Sequence, residues 1–147
     1  MSDVIKSYLA EIEKELKTGR ATEHTYRPAL KRLIESLDGR ISATNEPKRV
    51  ECGAPDFALR RDALSIGYVE TKDLGKSLDE AEDSEQLERY KKSLPNLILT
   101  DYLEFRWFVD GQPRGSARLG RMGKGGKILP DREGMAQTGL LLRLFLD

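Results

Sequence analysis

Asp56, and the triplet Glu70-Thr71-Lys72 that follows after thirteen intervening residues, are the side chains whose types and spacing can do chemistry. Alternate residues of a strand share a face, so on a strand through 69–72 Glu70 and Lys72 project together while the Thr71 side chain turns away. A neighbouring antiparallel strand can set Asp56 beside them. Two carboxylates, the backbone carbonyl of Thr71 and water form a hard oxygen site suited to Mg²⁺, which takes few protein ligands and keeps several waters. Such an ion lowers the pKa of a bound water and stabilises charge developing on a phosphate. Lys72 beside it can position the attacking water or help deprotonate it. This is equipment for hydrolysing a phosphodiester. The same three residues also read as separate charges on half-exposed strands, because 34% of the chain is charged and an acid two positions before a lysine arises often by chance.

The helix downstream adds a second group. Gln86 and Tyr90 are four apart and so are neighbours on one helical face, where an amide and a phenol can reach a phosphate or the carboxylate cluster. The surrounding Asp79, Glu80, Glu82, Asp83, Glu85 and Glu88 read as a solvated face, the first of them placed to favour the positive helix end. Residues 111–130 carry Arg114, Arg118, Arg121, Lys124 and Lys127 among glycines with no acid, which suits either contact with a DNA backbone or a flexible hairpin or linker. Tyr102, Phe105, Trp107 and Phe108 read as core and sheet-face residues, not as a base-stacking platform. Cys52 reads as a packing residue, and His24 as structural.

The elements that must position these groups follow from periodicity. Val4, Ile5, Tyr8, Leu9, Ile12 and Leu16 predict a first helix, and Leu30, Leu33, Ile34 and Leu37 a second. Pro28 leaves the start of the second open: either it is kinked, or it begins near Thr25 after a separate turn. A turn at Asn45-Glu46-Pro47, strands over 49–59 and 63–72 joined at Arg60-Arg61-Asp62, an acidic helix over 79–93, strands over 97–100 and 104–110, and an apolar helix over 139–146 complete the pattern. That order describes an α/β or α+β fold with a mixed central sheet flanked by helices. The last helix, apolar nearly all round, is expected to be buried.

The bulk numbers narrow the class. The 147 residues suit one domain, and 25 basic against 25 acidic residues leave any nucleic-acid affinity to local patches. One cysteine provides no disulfide framework and suits a cytoplasmic setting. No run approaches the roughly 18 apolar residues of a membrane span, and no secretory leader is legible.

Asp56, Glu70-Thr71-Lys72 and Gln86…Tyr90, in that order, resemble the active-site pattern of the PD-(D/E)xK nuclease superfamily, in the subset with a Gln-x-x-x-Tyr motif. The run Thr22-Glu23-His24-Thr25-Tyr26-Arg27-Pro28, Asn45-Glu46-Pro47 and Gly53-Ala54-Pro55-Asp56-Phe57 is similar to the N-terminal nuclease domain of single-chain restriction–modification proteins. In those proteins the nuclease is fused to an adenine-N6 DNA methyltransferase and, in some, a helicase-like motor. The resemblance covers residues 22–107. It implies a restriction-endonuclease-like fold, with a core over about 22–110, as the N-terminal part of a larger protein; the final helix, over 131–147, lies outside the resemblance. It implies metal-dependent cleavage of double-stranded DNA, with Mg²⁺ or a substituting Mn²⁺, beside methyltransferase and target-recognition regions of the same chain and with transient dimerisation for double-strand cuts. By the same resemblance Asp56, Glu70 and the Thr71 carbonyl would hold the metal, joined by Glu23 as a candidate. Lys72 would be the catalytic lysine and Gln86 and Tyr90 would support the substrate. A repair or recombination nuclease of the superfamily, and a non-catalytic DNA-binding or assembly domain, are the other readings.

Overall fold

The computed structural model describes residues 2–45 and 53–147, apart from the side chains of Ser2 and Glu23. Helix α1 (Ser2–Lys17) and a 3₁₀ turn (Glu23–Tyr26) lead into α2 (Arg27–Leu37). The open question at Pro28 is thereby answered. The turn is separate, closed by the Thr22 amide donating to Thr25 Oγ1 at 2.8 Å, and Pro28 lies in the first turn of α2, where its missing N–H costs nothing.

Strands β1 (Ile41–Asn45), β2 (Phe57–Arg61) and β3 (Leu64–Thr71) form an antiparallel meander, and helices α3 (Leu78–Glu82) and α4 (Glu85–Ser93) cross to β4 (Asn96–Thr100), parallel to β3. Strands β5 (Glu104–Val109) and β6 (Gln112–Arg118) continue antiparallel, so the sheet order is β1-β2-β3-β4-β5-β6. A small hairpin of β7 (Gly120–Met122) and β8 (Ile128–Pro130) precedes α5 (Arg132–Leu146). The expected mixed sheet flanked by helices is what the chain adopts.

Strand alternation divides the core in two. Phe57, Leu59, Val69, Ile98 and Phe105 face α1, α2 and α5, while Tyr68, Leu97, Leu99 and Phe108 face α3 and α4. The continuous apolar run of β4 follows directly from burial on both faces. Asn96 ties three elements, its amide donating to Ile66 O and Phe145 O and its carbonyl accepting from the Trp107 indole. Edge strand β1 is blunted by α2: Lys31 donates to Ala43 O and the Ala43 amide donates to Glu35.

Several elements depart from the sequence expectation. Strand β1 carries no strong alternation signal; of the strand expected over 49–59, residues 53–56 lie outside β2, which runs from Phe57, and 49–52, Cys52 with them, lie outside the described residues, as does the Glu46-Pro47 part of the expected turn. The hairpin turns at Asp62, where φ is 54°. The acidic helix is broken because the Ser84 hydroxyl donates to Ala81 O and accepts from the Leu87 amide, ending one helix and capping the next. The last helix begins at Arg132 with Asp131 as its cap, and it is buried on one side only: Leu140 is 60% exposed and Leu144 52%. Of residues 111–130, read as hairpin or linker, β6 joins the main sheet and β7 and β8 form a hairpin. No described helix is long and apolar enough to cross a membrane.

Gly134 fixes how α5 meets the end of β6. A Cβ added there would fall inside the shell of the Arg118 carbonyl oxygen, a backbone atom that cannot yield. Gly134→Ala is expected to cost about 3 kcal/mol or more in urea unfolding, whereas Leu140→Ala, on the exposed side of the same helix, should cost less than about 1 kcal/mol.

Candidate active site

The β2–β3 register pairs Phe57 with Val69, and its continuation sets Asp56 against Glu70. The Asp56 amide donates to Glu70 Oε1 at 3.1 Å, which locks the two residues together through backbone and side chain. Asp56 Oδ2 accepts from both the Thr71 amide at 2.8 Å and the Thr71 hydroxyl at 2.9 Å. Its other oxygen, Oδ1, accepts from Arg27 Nη2 at 2.6 Å. Arg27 is only 4% exposed and reaches Asp56 from the first turn of α2. Asp56 therefore sits where the sheet ends, clamped from the α2 side by Arg27 and from β3 by Thr71.

Tyr102 closes the floor. Its phenol hydrogen-bonds Thr71 and Arg27, and burial pushes its pKa up to about 12, so it stays a neutral phenol. Its φ of 77° is strained for a bulky residue. Local bonds hold it there: the Tyr102 amide donates to Thr100 Oγ1, Tyr8 donates to Tyr102 O, and Asp101 accepts from the Leu103 and Glu104 amides.

On the α4 side, Lys72 Nζ lies 3.5 Å from Glu70 Oε2 and donates to Gln86 Oε1 at 3.3 Å. Gln86 Nε2 in turn donates to the Tyr90 hydroxyl at 3.4 Å. Tyr90 is buried, and its ring packs against Gly53, whose φ of 128° and lack of a side chain bring the chain in close ahead of Asp56. The expected grouping of Glu70, Lys72, Gln86 and Tyr90 on one side of the sheet is thus present as a connected row.

Glu70 is 5% exposed. Burial, and then the nearby Asp56 charge, raise its pKa from an ordinary 4.5 to about 7, with Lys72 pulling the other way. Two adjoining carboxylates of which one resists ionisation are what a divalent cation relieves, so the donor chemistry fits a hard metal ion. Asp56 and Glu70 would hold it with the Thr71 carbonyl. Among the described residues no third carboxylate, histidine or cysteine joins them, which suits an ion that keeps several waters. The Glu23 side chain, the other metal-ligand candidate, lies outside the described residues.

The basic residues expected to meet a phosphate backbone do not gather into one patch. Arg114 lies over the Trp107 ring, 5.7 Å from its centroid, and Arg118 pairs with Glu104. Arg121, Lys124 and Lys127 are exposed on the β7–β8 hairpin, whose Met122 abuts Gly75 in the loop after Lys72 and whose Gly126 abuts Lys17 of α1. Sequence reading missed Arg27 and Tyr102 as site residues. For Arg27 a signal existed: it falls on the stripe of Leu30, Ile34 and Leu37, so a charge points where an apolar residue belongs.

The comparisons with known proteins fit this architecture. No family model and no curated protein matches the sequence. Among solved structures, the fold is similar to a chain in a cryo-electron-microscopy structure of a DrdV–DNA complex, with a TM-score of 0.75 and 21% identity, covering 100% of this chain and 98% of that one. The fold is restriction-endonuclease-like, a mixed six-stranded sheet with helices on both faces.

The Glu70 environment makes a signed prediction. An acid whose pKa is raised on folding adds stability at low pH that is lost as pH rises, here between 4.5 and about 7. Without metal the protein should lose roughly 3 kcal/mol of stability across that window through this group. Glu70→Gln should remove that part of the slope and be the more stable protein at pH 8. Equal pH profiles for the two in chemical denaturation would sink this assignment.

Proposed function

We propose that the chain is a Mg²⁺-dependent DNA endonuclease domain, the cleavage module of a restriction–modification enzyme that carries methyltransferase and target-recognition regions. The observation that carries this reading is the joined Asp56–Glu70 pair, of which Glu70 is buried and Asp56 partly exposed, bounded on one side by the Lys72–Gln86–Tyr90 row. The similarity in fold to a chain solved in complex with DNA supports DNA as the substrate.

On this reading each residue has a part. A bound Mg²⁺ or Mn²⁺ would lower the pKa of the attacking water and offset phosphate charge. Asp56 and Glu70 supply the anionic oxygens, and Thr71 keeps Asp56 aimed through its two bonds to Oδ2. Lys72, between Glu70 and Gln86, holds its ammonium where it can orient the water and meet the scissile phosphate. Gln86 fixes the lysine, and Tyr90 fixes Gln86. Arg121, Lys124 and Lys127, on the hairpin whose Met122 abuts the loop after Lys72, would track the flanking backbone, with Arg114 and Arg118 more peripheral.

Mn²⁺ titration and plasmid cleavage test the reading together. Asp56→Ala should weaken Mn²⁺ binding at least tenfold and abolish cleavage. Lys72→Ala should keep binding while slowing cleavage by about a hundredfold or more. Unchanged Mn²⁺ affinity in Asp56→Ala would overturn the site.

A further inference from the structure

Arg27 adds a constraint that the cleavage reading alone does not require. Its guanidinium is buried, bonded to Asp56 Oδ1 at 2.6 Å and within 3.5 Å of Asn45 Oδ1, and shares the Tyr102 phenol with Thr71. Among the described residues Thr71 fills both acceptor directions of Oδ2, which leaves one lone pair of Asp56, on the oxygen that Arg27 occupies. An ion taken up there shares that oxygen with a fixed positive charge in a poorly solvated setting, where like charges repel strongly. Positioning of the carboxylate, by contrast, does not depend on Arg27, because the two Thr71 bonds orient it.

Resting on the metal-site reading above, we infer that Arg27 is a resident counter-cation: it occupies Asp56 when metal is absent and weakens the site for a free divalent ion. It sets affinity through the Asp56 carboxylate and does not touch the reacting atoms. The charge is the active property, and the fork of the guanidinium is secondary.

The test is Mn²⁺ binding by the whole chain, followed by electron paramagnetic resonance and calorimetry, with folding checked by circular dichroism. Arg27→Gln keeps a donor for Asp56 but loses the charge, and it should bind Mn²⁺ at least tenfold more tightly than wild type. Arg27→Lys restores a charge and should bind within about threefold of wild type. Arg27→Met is the second neutral variant and should follow Arg27→Gln. A folded Arg27→Gln or Arg27→Met that binds Mn²⁺ as wild type does, or more weakly, would contradict the inference, as would Arg27→Lys behaving like the neutral variants. Failure of wild type to bind Mn²⁺ at all would remove the metal-site reading itself, a result distinct from normal, Asp56-dependent binding that is insensitive to Arg27.

Discussion

Glu70 and Asp56 repel each other, and the structure around them is arranged to hold them together. Left to solvent, two carboxylates at this separation would turn apart. Here the Asp56 amide bonds Glu70, Thr71 bonds Asp56 twice, and Arg27 and Lys72 bring positive charge from opposite sides. Burial leaves Glu70 with a proton affinity far above that of an exposed glutamate. Each neighbouring donor offsets part of that cost without removing it, and the residual tension is what an incoming divalent ion would release.

The demand for fixed donors on both sides explains the placement of whole elements. Helix α2 must start at Arg27 for the guanidinium to reach the sheet end, and the preceding 3₁₀ turn and Pro28 set that start. The split between α3 and α4 re-aims the second helix, whose first turns carry Gln86 to Lys72 and Tyr90 beneath it. The parallel β3–β4 pairing brings Thr100 beside Thr71, and the strained Tyr102 turn beyond it delivers the phenol to the floor of the site. Strain at Tyr102 is tolerated because Tyr8, Thr100 and Asp101 bond the backbone around it.

Much of this was legible in the sequence, and the gaps have physical causes. The Glu-x-Lys alternation and the Gln-x-x-x-Tyr spacing are local, and periodicity reports local geometry well. Helix α1 and strands β3, β4 and β5 were visible for the same reason. Strand β1 escaped because Ile-Ser-Ala-Thr-Asn lies at an edge with only Ile41 and Ala43 buried. The break at Ser84 escaped because a serine hydroxyl serves a helix end and a helix surface with equal ease in sequence. The exposed face of α5 is not legible because apolar content alone does not distinguish a buried face from an outward one, and Leu140 and Leu144 face outward. Arg27 and Tyr102 join the site only through contacts spanning 29 residues in one case and the turn after β4 in the other, which no spacing rule encodes. That Arg27 interrupts an otherwise apolar helical stripe is the physical trace it leaves in the sequence.

The central claim is that Asp56 and Glu70 together form a divalent-cation site. Anomalous diffraction from crystals soaked in Mn²⁺ at pH 8, where Glu70 is ionised, addresses it most directly. The account predicts an anomalous peak within coordination distance, about 2.0–2.4 Å, of one carboxylate oxygen from each residue, lost in Asp56→Ala. Peaks only elsewhere, with the Asp56–Glu70 space filled by water, would contradict it.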